Sequence, residues 1–251
     1  MCFLPIGDDN RDRRIAPIVN YALIAANILV FVFLQGMGSN VRFTYSFSAV
    51  PREILTGEDV VTRDRIVEEP RSGQIFEVPG LGRTPWSVYI TLLTAMFMHG
   101  GIAHLFGNLL FLWIFGDNLE NALGHVRYTV FYLVSGILAS LAHVFATAAL
   151  ALNPLVPSLG ASGAISGVLG GYLVLFPKRR VTVLVLRFIT TVPAIVAIGM
   201  WFLFQLVNGL GMLGGMEGGV AYGAHIGGFL AGLVLVKLLA LGRRGTRASA
   251  W

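Results

Sequence analysis

The chain has 251 residues, of which 55% are hydrophobic and only 12% charged, and its mean hydropathy is +0.75. Soluble domains carry about 25% charged residues, so this composition excludes an ordinary soluble domain and points to several membrane crossings. The single cysteine, Cys2, excludes internal disulfides and a cysteine metal cluster, and the formal charge of +5 is scattered at the ends of apolar runs, without the basic patch that nucleic acid requires.

Residues 1–16 are polar, with Arg11, Arg13 and Arg14 ahead of an uncharged apolar run at about 17–34. That run is long enough for a hydrocarbon core of about 30 Å and lacks a small-residue cleavage site, so it reads as a retained span. A polar stretch follows at about 36–87, broken by Gly57, Pro70, Gly73, Pro79 and Pro85. The second run covers 88–115 and is interrupted at Gly100-Gly101, so its spanning helix is predicted to begin near Ile102. The third covers about 129–152. Pro154, Pro157 and Gly160 then connect to a fourth at 161–176, closed by Lys178-Arg179-Arg180. The fifth lies at about 190–208, with an amphipathic approach around Arg187. A glycine-rich linker, Gly209 to Gly219, leads into the sixth, which ends near Leu241.

Six spans place both termini on one side of the membrane. With the N terminus inside, Arg11, Arg13, Arg14, Arg127, Lys178, Arg179, Arg180, Arg187, Lys237, Arg243, Arg244 and Arg247 are all internal. The remaining basic residues lie in the 36–87 loop, offset by Glu53, Glu58, Asp59, Asp64, Glu68, Glu69 and Glu77. The positive-inside rule therefore predicts cytoplasmic termini. The expected division is a cytoplasmic segment at 1–16, a membrane domain at 17–241 with an extracytoplasmic loop at about 36–87, and a cytoplasmic tail at 242–251.

Depth follows from the helical rise. Ser162 stands about 21 Å above Phe176, His225 about 24 Å above Leu241 and His104 about 20 Å above Asp117. Polar residues of three spans thus share one level, roughly 6–10 Å below the outer edge of the core. The fourth run is only about 24 Å long, so its N terminus ends inside the membrane, which is tolerated where it lines a wet cavity or is buried in protein.

Taken alone, Ser162 in Gly160-Ala161-Ser162-Gly163 reads as a small residue at a helix contact, and His225 as a core histidine bonded to a carbonyl. An ionisable group inside a membrane is nevertheless costly and points to function. Gly163, Gly167 and Gly171 on the fourth span, and Gly219, Gly223 and Gly227 on the sixth, are spaced by four, with Gly228 and Gly232 beside them. Such stripes predict close approach of the two helices, as a direct Ser–His hydrogen bond needs. A neutral imidazole that takes the hydroxyl proton turns serine into a nucleophile. No Asp or Glu lies within the spans proper, so a dyad is expected, with its histidine oriented by packing. His104 and Asn108 share a helix face and read either as polar glue or as oxyanion donors. His99 and His104 lack a third ligand at sensible spacing, so no metal is expected. His125 and His143 have no evident partner.

His104-x-x-x-Asn108, Gly160-Ala161-Ser162-Gly163 and Ala224-His225-Ile226-Gly227-Gly228, in that order on three spans, resemble the rhomboid family of intramembrane serine proteases. So does Phe115-Gly116-Asp117-Asn118-Leu119-Glu120 with Gly124 after it. The resemblance extends from about Met96 to Leu241. It implies an all-α bundle of six transmembrane helices and a cofactor-free endopeptidase that cleaves transmembrane segments of other proteins. It also implies Ser162 as nucleophile, His225 as general base, and His104 with Asn108 as oxyanion donors. The 36–87 loop would dip into the membrane, 209–219 would cap the site, and a bacterial inner membrane is the expected location. Position 166 is serine where many members carry an aromatic that packs on the catalytic histidine. The rival expectation is a proteolytically inactive rhomboid-like protein that binds membrane clients; a transporter, which would need repeated halves with broken helices, fits less well.

Overall fold

The computed structural model describes residues 3–68, 75–213 and 221–241. The chain begins with strand β1 (Phe3–Asp8) and helix α1 (Ile18–Leu29), which is prolonged by a π turn at Val30–Leu34. Short helices α2 (Val41–Ser46) and α3 (Pro51–Thr56), the hairpin strands β2 (Arg65–Glu68) and β3 (Ile75–Val78), and a short α4 (Thr91–Thr94) follow. Helix α5 (Ile102–Phe111) runs through a π turn at Leu112–Gly116 into α6 (Asp117–Leu123). The remainder is α7 (His125–Ala149), α8 (Ser162–Leu175), strands β4 (Arg180–Val185) and β5 (Phe188–Pro193), α9 (Ala194–Leu213) and α10 (Tyr222–Leu239).

Each apolar run of the sequence falls on a helix. The continuous helices Ile102–Leu123, His125–Ala149 and Tyr222–Leu239 are long and apolar enough to cross a membrane, whereas Ile18–Leu34, Ser162–Leu175 and Ala194–Gly209 are apolar but shorter. The expected break at Gly100-Gly101 is present, with α5 starting at Ile102. The C-terminal part of the expected cap linker, 214–219, and the tail at 242–251 lie outside the described residues, and Gly209 belongs to α9.

The first helix shows how polar and apolar groups are apportioned. Its buried residues in the α-helical part are Asn20 and Asn27, while Ile18, Leu29 and Phe33 are exposed. A helix surrounded by lipid leaves its apolar side chains outside and satisfies its polar ones within the bundle. Glu120 accepts from the backbone N–H groups of Val19 (3.0 Å) and Asn20 (2.7 Å), which supplies acceptors and negative charge at the free N terminus of α1. The π turn at 112–116 upsets the α-helical bonding pattern, and the carbonyl of Leu112 accepts from the Asn20 amide at 3.0 Å. Tyr128 completes the set by donating to Asn20 Oδ1 at 2.7 Å.

Glycines decide how closely α7, α8 and α10 pack, though not all as expected. A Cβ at Gly163, Gly167 or Gly171 would strike Ala139, Ser135 or Phe131 of α7, and one at Gly227 would strike Ala142 of α7. The Cα faces of these glycines therefore turn to α7, where Ala139, Ser135, Ala142 and the Phe131 ring receive them, while the carbonyls of Gly163 and Gly167 face α10. On α10 the α8 contact is made by Gly228 and Gly232, beside the Gly227 stripe. A Cβ at Gly228 would lie 2.1 Å from the Gly163 carbonyl oxygen, one at Gly232 2.0 Å from that of Gly167, and one at Gly170 2.3 Å from that of Phe229. Backbone meets backbone here, and no side chain can move aside.

The 36–87 loop, which the sequence left without regular structure, is stitched to the connection before α8. Ala49 and Ser158 exchange backbone hydrogen bonds of 2.9 and 2.8 Å, Arg52 N–H bonds Pro154 O at 3.0 Å, and Gly160 N–H bonds Ala95 O at 2.8 Å. Gln35, at the end of the first helical segment, donates to His99 O at 2.8 Å and accepts from His99 N–H at 3.0 Å, so it clamps the turn that leads into α5.

At the opposite end from Ser162 lies a sheet of order β1-β4-β5, antiparallel throughout. This departs from the all-helical reading: the approach around Arg187 is a hairpin turning at Leu186-Arg187. Strand β4 is rich in Val and Thr, residues that suit a pleated surface, and it buries Val181 and Val183 completely. Asp8, at the end of β1, ties the sheet to the helices. Its Oδ2 accepts from Tyr172 Oη at 2.5 Å and from Asn118 Nδ2 at 2.7 Å, while Oδ1 is buried without a partner among the described residues. Burial pushes the Asp8 carboxyl up from 3.8 to about 6, outweighing the two hydrogen bonds and the Arg179 guanidinium; Asp117 nearby adds to the rise.

Two outcomes follow from this packing. Gly228→Ala should lower the melting temperature in detergent by the equivalent of about 1–3 kcal/mol, the usual cost of overpacking. Gly199→Ala, with nothing within 4 Å of its Cβ, should leave it unchanged or slightly raised. Equal melting temperatures would refute the contact. Asp8 holds its proton more tightly when docked, so docking of β1 should be strongest below about pH 4 and weaken as pH rises through about 6. Amide exchange in β1, corrected for intrinsic rates, should show this loss of protection, and Asp8→Asn should flatten it. A wild-type profile that is already flat would contradict the burial of Asp8.

Candidate active site

Ser162 is the first residue of α8. The residue two positions before it, Gly160, has φ +119, a conformation that side-chain-bearing residues rarely adopt. Ala161 caps the helix without a side-chain hydrogen bond, so the N–H groups of the first turn point out of the helix end unclaimed by a cap. Ile165 N–H bonds back to Ala161 O at 2.9 Å, and Ser166 Oγ donates to Ser162 O at 2.6 Å. Ser166 therefore spends its hydroxyl inside α8.

His225 stands in the first turn of α10. Its Nε2 is 2.8 Å from Ser162 Oγ, the approach that the shared depth of the two residues predicts. Its Nδ1 is 2.7 Å from Oε1 of Gln205, a residue of α9 that the sequence reading passed over. An amide oxygen only accepts, so the tautomer that satisfies both contacts is the one with the proton on Nδ1, which presents the Nε2 lone pair to the serine hydroxyl. Histidine orientation is thus not left to packing alone. Trp201 and Tyr222 flank the ring with centroids at 6.1 and 6.3 Å.

His104 reaches the same place from α5. A Cβ at Gly160 would lie 2.8 Å from both Cε1 and Nε2 of His104 and 3.6 Å from Ser162 Oγ, so imidazole and hydroxyl flank the bare glycine. The Gly100 N–H points to His104 Nδ1 at 3.4 Å, and Nε2 is the ring nitrogen on the Gly160 side. Asn108, one turn further on, is buried, and its Nδ2 has no acceptor among the described residues. A buried amide left unpaired is costly, and here it stands on the helix that brings His104 to the serine.

A cavity of about 20 Å³, room for about one water, opens beside Ser162 between Met96, Gly136, Ser140, Ser158, Gly160 and Ala224. A larger apolar cavity of about 280 Å³ separates the α5 side from α9, between Phe111, Phe115, Trp201 and Phe204, with Gln205 at its wall. Among the described residues no three His, Cys, Asp or Glu side chains gather as a metal site. His99 is buried edge to face against His104, with centroids 5.2 Å apart, and His125 pairs with Glu120 at 2.5 Å. The one sequence signal for Gln205 was an uncharged polar side chain in an otherwise apolar stretch of the fifth run.

Comparisons with known proteins identify the family of the chain. A family model described as the Rhomboid domain matches residues 86–241. The chain is 35% identical over 226 residues to the rhomboid protease GluP of Bacillus subtilis, covering 89% of this chain and 38% of that protein. It is 34% identical over 147 residues to the mitochondrial rhomboid protein 1 of Saccharomyces cerevisiae (58% and 40%). It is 35% identical over 151 residues to RHOMBOID-like protein 4 of Arabidopsis thaliana (57% and 32%). The chain thus spans about two fifths or less of the length of these relatives, but the domain match covers more than half of the chain itself, and the chain belongs to the rhomboid family.

Proposed function

We propose that the protein is an intramembrane serine endopeptidase that cleaves transmembrane segments of other membrane proteins. The observation that carries this reading is the 2.8 Å contact between Ser162 Oγ and His225 Nε2, made at a helix end inside an apolar bundle. In this reading Ser162 attacks a peptide carbonyl while its proton passes to His225 Nε2. Asn108 Nδ2, His104 Nε2–H and the first-turn N–H groups of α8 receive the charge that develops on the carbonyl oxygen. The His225 imidazolium then protonates the departing amine, and water admitted to the site hydrolyses the acyl-enzyme by the same steps in reverse order. No cofactor takes part.

The proposed topology has six spans, α1 with its π extension, α5 with α6, and α7 to α10, and cytoplasmic termini, as in a bacterial inner membrane. Residues 1–16 and 242–251 are cytoplasmic, and the 36–87 loop is extracytoplasmic, so the β1-β4-β5 sheet faces the cytoplasm. Presence of both Ser162 and His225 at bonding distance speaks against the inactive, client-binding alternative.

Purified protein reconstituted with transmembrane substrates should cleave them. Ser162→Ala and His225→Ala should each abolish cleavage with the fold intact, and the double variant should be no worse than either, because residues acting as a unit are strongly non-additive. Turnover by a folded Ser162→Ala protein would overturn the reading. Asn108→Ala should lower kcat about 10²–10³-fold with little change in KM; a change in KM alone would return Asn108 to a packing role. Ser162 lies about 6–10 Å below the outer membrane edge by helical rise, so mass spectrometry should place the cuts in the outer part of each client's segment. Cuts at the cytoplasmic end would contradict the topology.

A further inference from the structure

We infer that Gln205 is the positioning residue of the site: its amide oxygen, acting across from a third helix, holds the His225 ring in the one tautomer and rotation that can accept the serine proton. The inference rests on the serine-protease reading above and adds a group to it.

Three observations carry it. Gln205 Oε1 lies 2.7 Å from His225 Nδ1 while Ser162 Oγ lies 2.8 Å from Nε2, so the imidazole is held between the two groups, one on each nitrogen. Gln205 is only 6% exposed in a helix that is otherwise apolar through this stretch, Ala194 to Val207. Placing an amide there is unfavourable unless it finds a partner, and the imidazole is the partner it has. Finally, among the described residues the alternatives are spent or absent. Ser166 bonds to Ser162 O within α8, Trp201 offers only a tilted ring at 6.1 Å, and α7 to α10 contain no Asp or Glu that could serve as a third member.

The chemistry makes the bond consequential. Which imidazole nitrogen carries the proton is set by the hydrogen bond that the other makes. With an acceptor at Nδ1, the proton sits there and Nε2 is a base. Without it, a ring with the proton on Nε2 becomes favourable, and such a ring donates to Ser162 Oγ and takes nothing from it. When the serine proton arrives on Nε2 and the ring becomes cationic, the same Nδ1–H bond to the oxygen strengthens and stabilises the charge. A neutral amide supplies this without placing an unpaired carboxylate in the bundle, which would be expensive inside a membrane.

The test uses the full-length protein in detergent or liposomes with a transmembrane substrate. Gln205→Met keeps the shape and removes the acceptor; kcat should fall about 10–10²-fold while KM and the melting temperature hold. Gln205→Glu keeps an oxygen at the same reach and should recover most of that loss. Nitrogen-15 NMR of the histidine rings, with His225 assigned by its loss in His225→Ala, should show the proton on Nδ1 in the wild type and a shift toward Nε2 in Gln205→Met. A wild-type His225 protonated on Nε2 would overturn the inference even if the variants did not fold. So would wild-type kcat in Gln205→Met. Loss of the underlying reading looks different: there Ser162→Ala itself retains turnover, whatever Gln205 does.

Discussion

The whole arrangement depends on how near the backbones of α8 and α10 come. Apolar side chains drive helices together poorly when the surroundings are apolar too, so van der Waals contact and backbone proximity must hold a membrane bundle. Gly228 and Gly232 lie against the carbonyls of Gly163 and Gly167, and Gly170 against that of Phe229, with no room for a methyl group. Ser162 has a side chain of a single carbon and an oxygen. It meets His225 at 2.8 Å only because the helix that carries it lies backbone to backbone on its neighbour. Small residues of α7, among them Ser135, Ala139 and Ala142, receive the other glycine faces and keep the pair from sliding apart.

Around this contact the bundle solves the complementary problem, that of buried polar groups. Glu120 supplies acceptors for the start of α1, Asn20 takes up the Leu112 carbonyl beside the π turn, and Gln35 grips the His99 backbone from both sides. Exceptions occur in several places, among them Asp8 Oδ1 at the sheet, Asn27 Oδ1 and Ser135 Oγ, and one of them lies where chemistry is proposed. Asn108 Nδ2 is buried without an acceptor among the described residues, and the first turn of α8 has no side-chain cap. Donors left unsatisfied at rest are those that a developing negative charge can reward. At the far end, Arg179 bonds Asp12, Asn118 and the Asp9 carbonyl and lies over the Phe176 ring. Together with Asp8 it fastens the sheet beneath the helices.

Much of this was legible in the sequence, and the reasons are physical. The helices were legible because a long apolar run in lipid has few other folds to adopt. The meeting of Ser162, His225 and His104 was legible because helical rise converts sequence position into depth. The shape of the contact was less so: spacing by four identifies a smooth stripe but not the neighbour each side of it faces, and the Cα faces of Gly163 and Gly227 turned to α7 while the carbonyls of Gly163 and Gly167 met Gly228 and Gly232. The sheet was missed because β4 and β5 are short, apolar strands beside a helix, and their pairing with β1 joins residues far apart in the chain. The π turns leave no compositional mark. Gln205 and Gln35 were overlooked because a single amide in an apolar run carries no motif, and its meaning lies wholly in the partner across the bundle. His125, left without a partner in the sequence reading, finds one in Glu120.

The central claim is that Ser162 is made nucleophilic by His225. Its most direct measurement is covalent labelling of the membrane-embedded protein with a fluorophosphonate, followed by mass spectrometric identification of the modified residue. The account predicts a single adduct, on Ser162, whose formation is lost in His225→Ala while the melting temperature is kept. An adduct on another serine, or labelling of Ser162 that proceeds equally without His225, would contradict it.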